Sequence, residues 1–178
     1  MAPQRLDQRD LAILGILQRE GRITNQRLAE RIHLSASACL ERVKRLEQLG
    51  VVKGYGAEVA LEKVLRCSTV YVEVTLKRHE AQDFDRFESA IRDIPEVLEC
   101  NAIGGGSDYL MKVIALDIAH YQELIDRLLA ADIGIGRYFT YVVTKPVKRA
   151  GPLPLQHLLH EAEAREQHRQ TWRAPAWS

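Results

Sequence analysis

The side chains between Ser35 and Gln48 have the types and spacing to hold a nucleic acid. At 100° per residue, Ser37, Glu41, Lys44, Arg45 and Gln48 fall on one face of a helix, opposite a stripe of Leu40, Val43, Leu46 and Leu49. Arg42, Lys44 and Arg45 supply cations that neutralise phosphate. Ser37, Arg45 and Gln48 carry donors and acceptors matched to base edges. Ser35 to Ala38 are all small, so the start of this helix can approach phosphates and bases closely. A merely solvated helix can show the same charged face, so the surrounding elements must decide between the two readings.

Those elements form a compact pattern. Asp7 caps a first helix running to Arg19, with Asp10 in the capping-box position, and Gly21 stops it. Thr24 caps a second helix over Asn25 to Ile32, with Leu28, Ala29 and Ile32 inward. His33 and Leu34 make a tight turn, Ser35 caps the third helix, and Gly50 ends it. Val51 and Val52, then Tyr55 to Leu61, read as a strand or small wing. Three short helices, a tight turn and a wing make a helix-turn-helix, and DNA binding becomes the favoured reading of the charged face.

The pattern changes near residue 60. Val70, Val72, Val74 and Leu76 alternate with Tyr71, Glu73 and Thr75, the period of a strand. A helix with Phe84, Phe87, Ala90 and Ile91 follows. Strands are expected over Val97 to Ile103 and Tyr109 to Leu116, joined by a turn at Gly104 to Ser107. A helix carries Tyr121, Leu124, Ile125, Leu128 and Leu129, and a last strand runs from Ile135 to Lys145. The order βαββαβ is the ferredoxin-like topology. Its two helices cover one sheet face; the other, expected to be rich in valine and tyrosine, needs a partner. The fold class is therefore α+β, with an N-terminal winged helix-turn-helix over 1–55, a linker or hinge strand over 56–66, a ferredoxin-like domain over 67–148 and a C-terminal extension over 149–178.

Composition narrows the function classes. The chain has 178 residues and a net charge of +1, which argues against a coat protein that binds nucleic acid nonspecifically. Cys39, Cys67 and Cys100 are too few and too scattered for a disulfide framework or a zinc site, and read as reduced thiols of a cytoplasmic protein. There is no signal-like N-terminus and no apolar run of membrane-spanning length.

The residues then match a known family. Leu6, Asp7, Asp10, Ile13 and Leu14, the run Gly21 to Asn25, Leu28-Ala29, Leu34-Ser35, Cys39-Leu40, Arg42-Val43, Arg45 to Glu47 and Gly50 to Val52 with Gly54-Tyr55 closely resemble the Lrp/AsnC, or feast/famine, transcription regulators. The similarity continues through Pro95, Val97, Glu99-Cys100, Gly105, Asp108 to Leu110 and Thr140 to Val143, and covers about residues 5 to 148. It implies a DNA-binding regulator of amino-acid metabolism whose effector domains pair into homodimers, assemble further to octamers, and bind an amino acid or related metabolite between them. No resident cofactor, metal or catalytic residue is expected.

The resemblance carries the effector site onto Ala102, Gly104, Gly105, Gly106, Ser107, Asp108, Ile118, Tyr141, Val142 and Val143. Glycine backbone N–H groups suit a carboxylate, and Asp108 suits a ligand ammonium. Gly106 and Ser107 are smaller than the residues usual in this loop, which implies a roomier pocket and an effector other than leucine. Ile133 stands where the family often has proline.

Without the resemblance, the triple glycine is equally a hairpin turn, Asp108 a turn cap and Tyr141 a packing residue. Two rival functions remain. Haem-pathway decarboxylases share the two-domain architecture but would need cations or histidines in the effector cleft, where only His79 and His120 are available. A ligand-independent architectural DNA-binding protein would ignore every amino acid. In the extension, His157, His160 and Glu161 are spaced for a weak metal site on a tail helix. Leu155, Leu158, Leu159 and Ala162 are spaced to dock on a neighbouring subunit, and residues 171–178 read as disordered.

Overall fold

The structure, a computed structural model, describes residues 6–171. The elements in chain order are α1 (Gln8–Leu17), α2 (Asn25–Arg31), α3 (Ala36–Gln48), a 3-10 turn at Leu61–Lys63, β1 (Ser68–Leu76) and α4 (Ala81–Arg92). They continue with β2 (Val97–Ala102), β3 (Tyr109–Ala115), α5 (Ile118–Ala130), β4 (Ile135–Val142) and α6 (Leu155–Thr171). The chain divides into two compact units. Among the described residues, those up to Glu58 associate with those from Arg149 onward, and Val59–Lys148 form the second unit. The expected disorder of 171–178 falls, apart from Thr171, outside the described residues.

The first unit is built from well-capped short helices. Asp7 accepts from the Asp10 N–H at 2.8 Å, and the Asp10 carboxylate accepts from the Asp7 N–H at 3.1 Å, so the capping box is complete with aspartate as its second member. Ile13, Leu14, Leu28, Ala29, Cys39 and Leu46 form the buried core. The stripe expected on α3 is corrected in one place: Leu40 is 42% exposed and the smaller Cys39, one residue earlier, is fully buried. One residue is 100° of helix, enough to move a side chain from core to surface.

The segment expected as a strand or small wing holds no strand. Residues 51–60 carry no strand, and the linker over 56–66 holds only the 3-10 turn. Val51 and Val52 both donate their N–H groups to the Leu46 carbonyl, at 3.0 and 3.2 Å, and pack against the helical core. Their β-branched side chains are satisfied as a helix stop, and Gly54 and Gly56 follow at once, leaving little to hold a strand. In the extension one residue is corrected: Leu155 packs on this same unit's helices, while Leu158 and Leu159 are exposed.

The second unit is a four-stranded antiparallel sheet in the order β2-β3-β1-β4, with α4 and α5 sharing one core beneath it. The ends of β2, β3 and β4 fall one to three residues short of the expected ones, as boundaries read from propensity commonly do. Val70, Val72 and Val74 meet Val113, Met111 and Tyr109 in turn across the ladder and are fully buried over Phe87, Leu124 and Ile125. Each such side chain contributes roughly 1.5–3 kcal/mol by leaving water. The valines thus lie under the helices and do not form the open face. That face presents Tyr71, Phe139 and Tyr141, all substantially exposed, beside Glu73, Lys112 and Arg137.

Candidate nucleic-acid interface and effector region

The turn that sets α3 is a Schellman motif. The Leu34 N–H bonds to the Ala29 carbonyl at 3.0 Å and the His33 N–H to Glu30 at 3.3 Å, with His33 left-handed at φ 55°. The Asn25 side chain, at the start of α2, donates to the Ala36 carbonyl at 2.7 Å and ties the two helices across the turn. Ser35 Oγ then accepts from the Ala38 N–H at 3.3 Å and lies 3.2 Å from Ser37 Oγ. Both serines are exposed at the start of α3, together with Lys44, Arg45 and Gln48 further along it.

Arg42 departs from its expected role. Its Nη1 donates to Asp7 and to Asp10, each at 2.7 Å, and its side chain is only 29% exposed. It is a brace between α3 and α1, so its charge is already neutralised by protein carboxylates and little is left for phosphate. Arg45 is different. It makes one longer contact, 3.1 Å to Asp10, and stays 49% exposed, with most of its guanidinium donors free. The Asp10 carboxylate is 1% exposed and is held by both guanidiniums. The Asp10 N–H bond, helped by Arg42, holds the Asp7 carboxyl below the usual aspartate range.

Sequence reasoning placed Asp7 and Asp10 in a cap but missed this second employment. The signal was present: two acids three apart and two arginines three apart, each pair on one helical face. Beyond α3, Tyr55 donates to Glu47 at 2.9 Å, and burial with that contact pushes its hydroxyl up to about 12. This bond pins the irregular segment after α3 to the helix.

In the second unit the ten positions carried over for an effector fall into two groups. Ala102 and the Gly104–Asp108 loop lie where Val74 pairs with Tyr109. Tyr141 to Val143 lie where Val70 pairs with Val142, and Ile118 just beyond the Ala115 end of β3. Val74 and Val70 are four residues apart, ~13 Å along β1, so within one chain the groups sit toward opposite ends of the sheet.

The loop itself is firmly held. Gly104, Gly105 and Gly106 are exposed with open space around them, and Gly105 has φ 142°, which favours glycine. Ser107 is buried and donates to Glu73 at 3.3 Å. Asp108 does not reach out as a free carboxylate. It accepts from the Leu76 N–H at 2.7 Å, and His79 Nε2 lies 3.0 and 3.1 Å from its two oxygens. Its chemistry closes the end of β1, and its partner is His79, which sequence reasoning offered only as a histidine of the effector cleft. Ile118, Tyr141 and Val142 are exposed, whereas Val143 is half-buried with its N–H donated to Thr69.

At the far end, His120 faces Glu96 at 3.8 Å and accepts from the Leu116 N–H at 3.2 Å through Nδ1. Glu96 is held below the usual glutamate range by its own backbone N–H and by Arg127 and His120. His79 and His120 are thus each engaged with a protein carboxylate. Among the described residues no group of three His, Cys, Asp or Glu side chains is placed to hold a metal ion, and this includes His157 and His160 on α6. No described helix is long and apolar enough to cross a membrane.

Comparison with known proteins agrees with both halves of this geometry. The description of a winged helix-turn-helix DNA-binding domain matches residues 6–53, and that of the Lrp/AsnC ligand-binding domain matches residues 69–153. The chain is 54% identical to the transcriptional regulatory protein DoeX of Halomonas elongata over 145 residues, 82% of this chain and 92% of that one. It is 40% identical to the leucine-responsive regulatory protein of Haemophilus influenzae over 151 residues, 85% of this chain and 91% of that one. Among solved structures, a transcriptional regulator of Neisseria meningitidis in complex with L-Met superposes with a TM-score of 0.80 at 34% identity, covering 86% of this chain and 99% of that one. These relatives are regulators, so the decarboxylase alternative falls away. The chain belongs to the Lrp/AsnC family and is a DNA-binding transcription regulator with a ligand-binding domain.

Proposed function

We propose that this regulator senses an amino acid or amino-acid-derived metabolite held between the effector domains of a homo-oligomer, and so controls genes of amino-acid metabolism in the cytoplasm. The observation that carries the reading is the separation of the two groups of effector positions. No common amino acid reaches across ~13 Å of strand, so a site containing both the Gly104–Asp108 loop and Tyr141–Val143 must be assembled from more than one copy. The open face with Tyr71, Phe139 and Tyr141 supports pairing into dimers, and higher assembly to octamers would bring the sheet ends of different dimers together. The relatives named as leucine-responsive and as an L-Met complex support an amino-acid-type ligand, which on this reading is a reversible effector and not a resident cofactor.

Within that site the exposed N–H groups of Gly104 to Gly106 take the effector carboxylate, and Asp108 with His79 holds the loop that presents them. On DNA, the exposed Arg45, Gln48 and Ser37 read bases, while Lys44 and Ser35 meet phosphate. A thermal-shift screen over the common amino acids and their catabolites, with mass measured by light scattering, tests the proposal. The expected result is a raised melting temperature with one ligand class and a mass at or above that of a dimer. A protein that is monomeric at micromolar concentration and indifferent to every compound overturns it in favour of the architectural reading. For the interface, Arg45→Ala should weaken binding to a selected duplex by roughly 1–3 kcal/mol.

A further inference from the structure

The segment beyond the effector sheet returns to the DNA-binding unit and docks there. The Leu153 N–H donates to Gln18 Oε1 at 2.6 Å, and Gln18 Nε2 donates back to the Leu153 carbonyl at 3.4 Å. This pairs the end of α1 with a backbone peptide in both directions. Leu153 and Leu155 line an apolar cleft with Leu14, Leu17, Val51 and Val52, and Leu155 packs onto the same core as the three helices. Pro154 directly precedes α6, and its carbonyl accepts from the Leu158 N–H at 3.0 Å. The docking begins where the match to the ligand-binding domain ends, at residue 153.

The chain therefore passes between its two units twice, once after Glu58 and once after Lys148. The second passage leaves from the end of β4. Val143 makes the last sheet bond, to Thr69, and only residues 144–152 separate it from the Leu153 anchor on α1. We propose that residues 144–155 act as a strap. They form a second covalent tie that carries a displacement at Tyr141–Val143 directly to α1, by a route independent of the linker after α3. This rests on the reading of Tyr141–Val143 as effector positions for its use in regulation, but the tie itself is testable with DNA alone. Coupling between two sites is reciprocal, so what moves α1 when an effector binds must disturb β4 when DNA binds.

The test compares three full-length proteins by hydrogen exchange, with and without a duplex selected by the wild type from a random pool. Leu155→Asp puts a charge into the docking cleft. An insertion of roughly a dozen Gly and Ser residues between Lys148 and Arg149 keeps the anchor but makes the tie slack. In the wild type the duplex should change exchange at Val143 by about fivefold, the low end of coupling between sites. In the insertion variant that change should vanish while protection of α1 stays as in wild type. In Leu155→Asp both the change and the α1 protection should fall. A wild type whose Val143 exchange ignores DNA overturns the strap. So does an insertion variant that responds like wild type, which would make the docked segment a local brace only. Failure of the amino-acid screen with a preserved DNA response at Val143 would remove the effector reading and leave the strap standing.

Discussion

The removal of one carboxylate should show how far the recognition helix depends on α1. Asp10 is 1% exposed and accepts three bonds: from Arg42 at 2.7 Å, from Arg45 at 3.1 Å and from the Asp7 N–H at 3.1 Å. The Arg42 contact is charge-assisted and mostly screened from solvent, and such bonds contribute about 2 kcal/mol. The Arg45 contact is half exposed and contributes a few tenths, and the cap bond contributes about 1 kcal/mol. Asp10→Ala should therefore cost about 3 kcal/mol. It should not cost more, because Arg42 keeps Asp7 and both guanidiniums can rehydrate, so no buried charge is stranded. Urea unfolding of the full chain followed by helical circular dichroism reads this as an earlier transition of the helical unit with the same slope. Asp10→Asn should lose nearly as much, since an amide NH₂ turned toward either guanidinium repels it. The double variant with Arg42→Met should be non-additive by more than about 1 kcal/mol. A loss below about 0.5 kcal/mol for Asp10→Ala, or strict additivity with Arg42→Met, would refute the brace and return Arg42 to the phosphate-contacting set.

Other perturbations follow from local geometry. His33 holds a left-handed φ of 55° at the end of α2, so His33→Gly should stabilise the helical unit by about 0.5–1 kcal/mol in the same urea assay. A Cβ on Gly136 would meet Lys77 N and the Leu76 carbonyl carbon at 3.1–3.2 Å, both backbone and beside the β1–β4 register shift. Gly136→Ala should thus cost about 1–2 kcal/mol in the effector domain, read by thermal melting. Glu96 has a depressed folded-state pKa, so its contribution is complete above the ordinary glutamate value of 4.5 and is lost as pH falls through the lower folded value. Glu96→Gln should lower stability at neutral pH and flatten its dependence on pH below that point, as measured by unfolding between pH 6 and pH 3, roughly the range that brackets carboxylate titration.

Several features follow from local order alone. Asp7, Thr24 and Ser35 each cap the helix their position in the sequence marks, because capping depends on a side chain and the N–H three residues on. The alternation of Val70, Val72 and Val74 set β1, and the βαββαβ order set the sheet, since few topologies accommodate it. Other features depended on what was brought near in space. Arg42 carries the same charge as Arg45, and periodicity cannot tell that one is held by both Asp7 and Asp10 while the other makes one longer contact to Asp10 and stays half exposed. Val51 and Val52 have strand-forming side chains, but the Leu46 carbonyl and the helical core claimed them first.

The same division holds at the effector region. The motif residues from Ala102 to Asp108 and from Tyr141 to Val143 were legible one by one. That they lie at opposite ends of one sheet, and that His79 occupies the Asp108 carboxylate, required the register of β1 against β3 and β4. Leucine spacing in the C-terminal extension marked a surface that needs a partner. Only the tertiary structure decided that Leu155 finds it on this chain's own DNA-binding unit, beside Gln18. Sequence by itself determined the helices, the sheet strands, the caps and the family, because these rest on interactions and motifs among residues within a few positions of one another. The tertiary structure decided which arginine is braced and where Leu155 docks, because each depends on a contact between residues far apart in the chain.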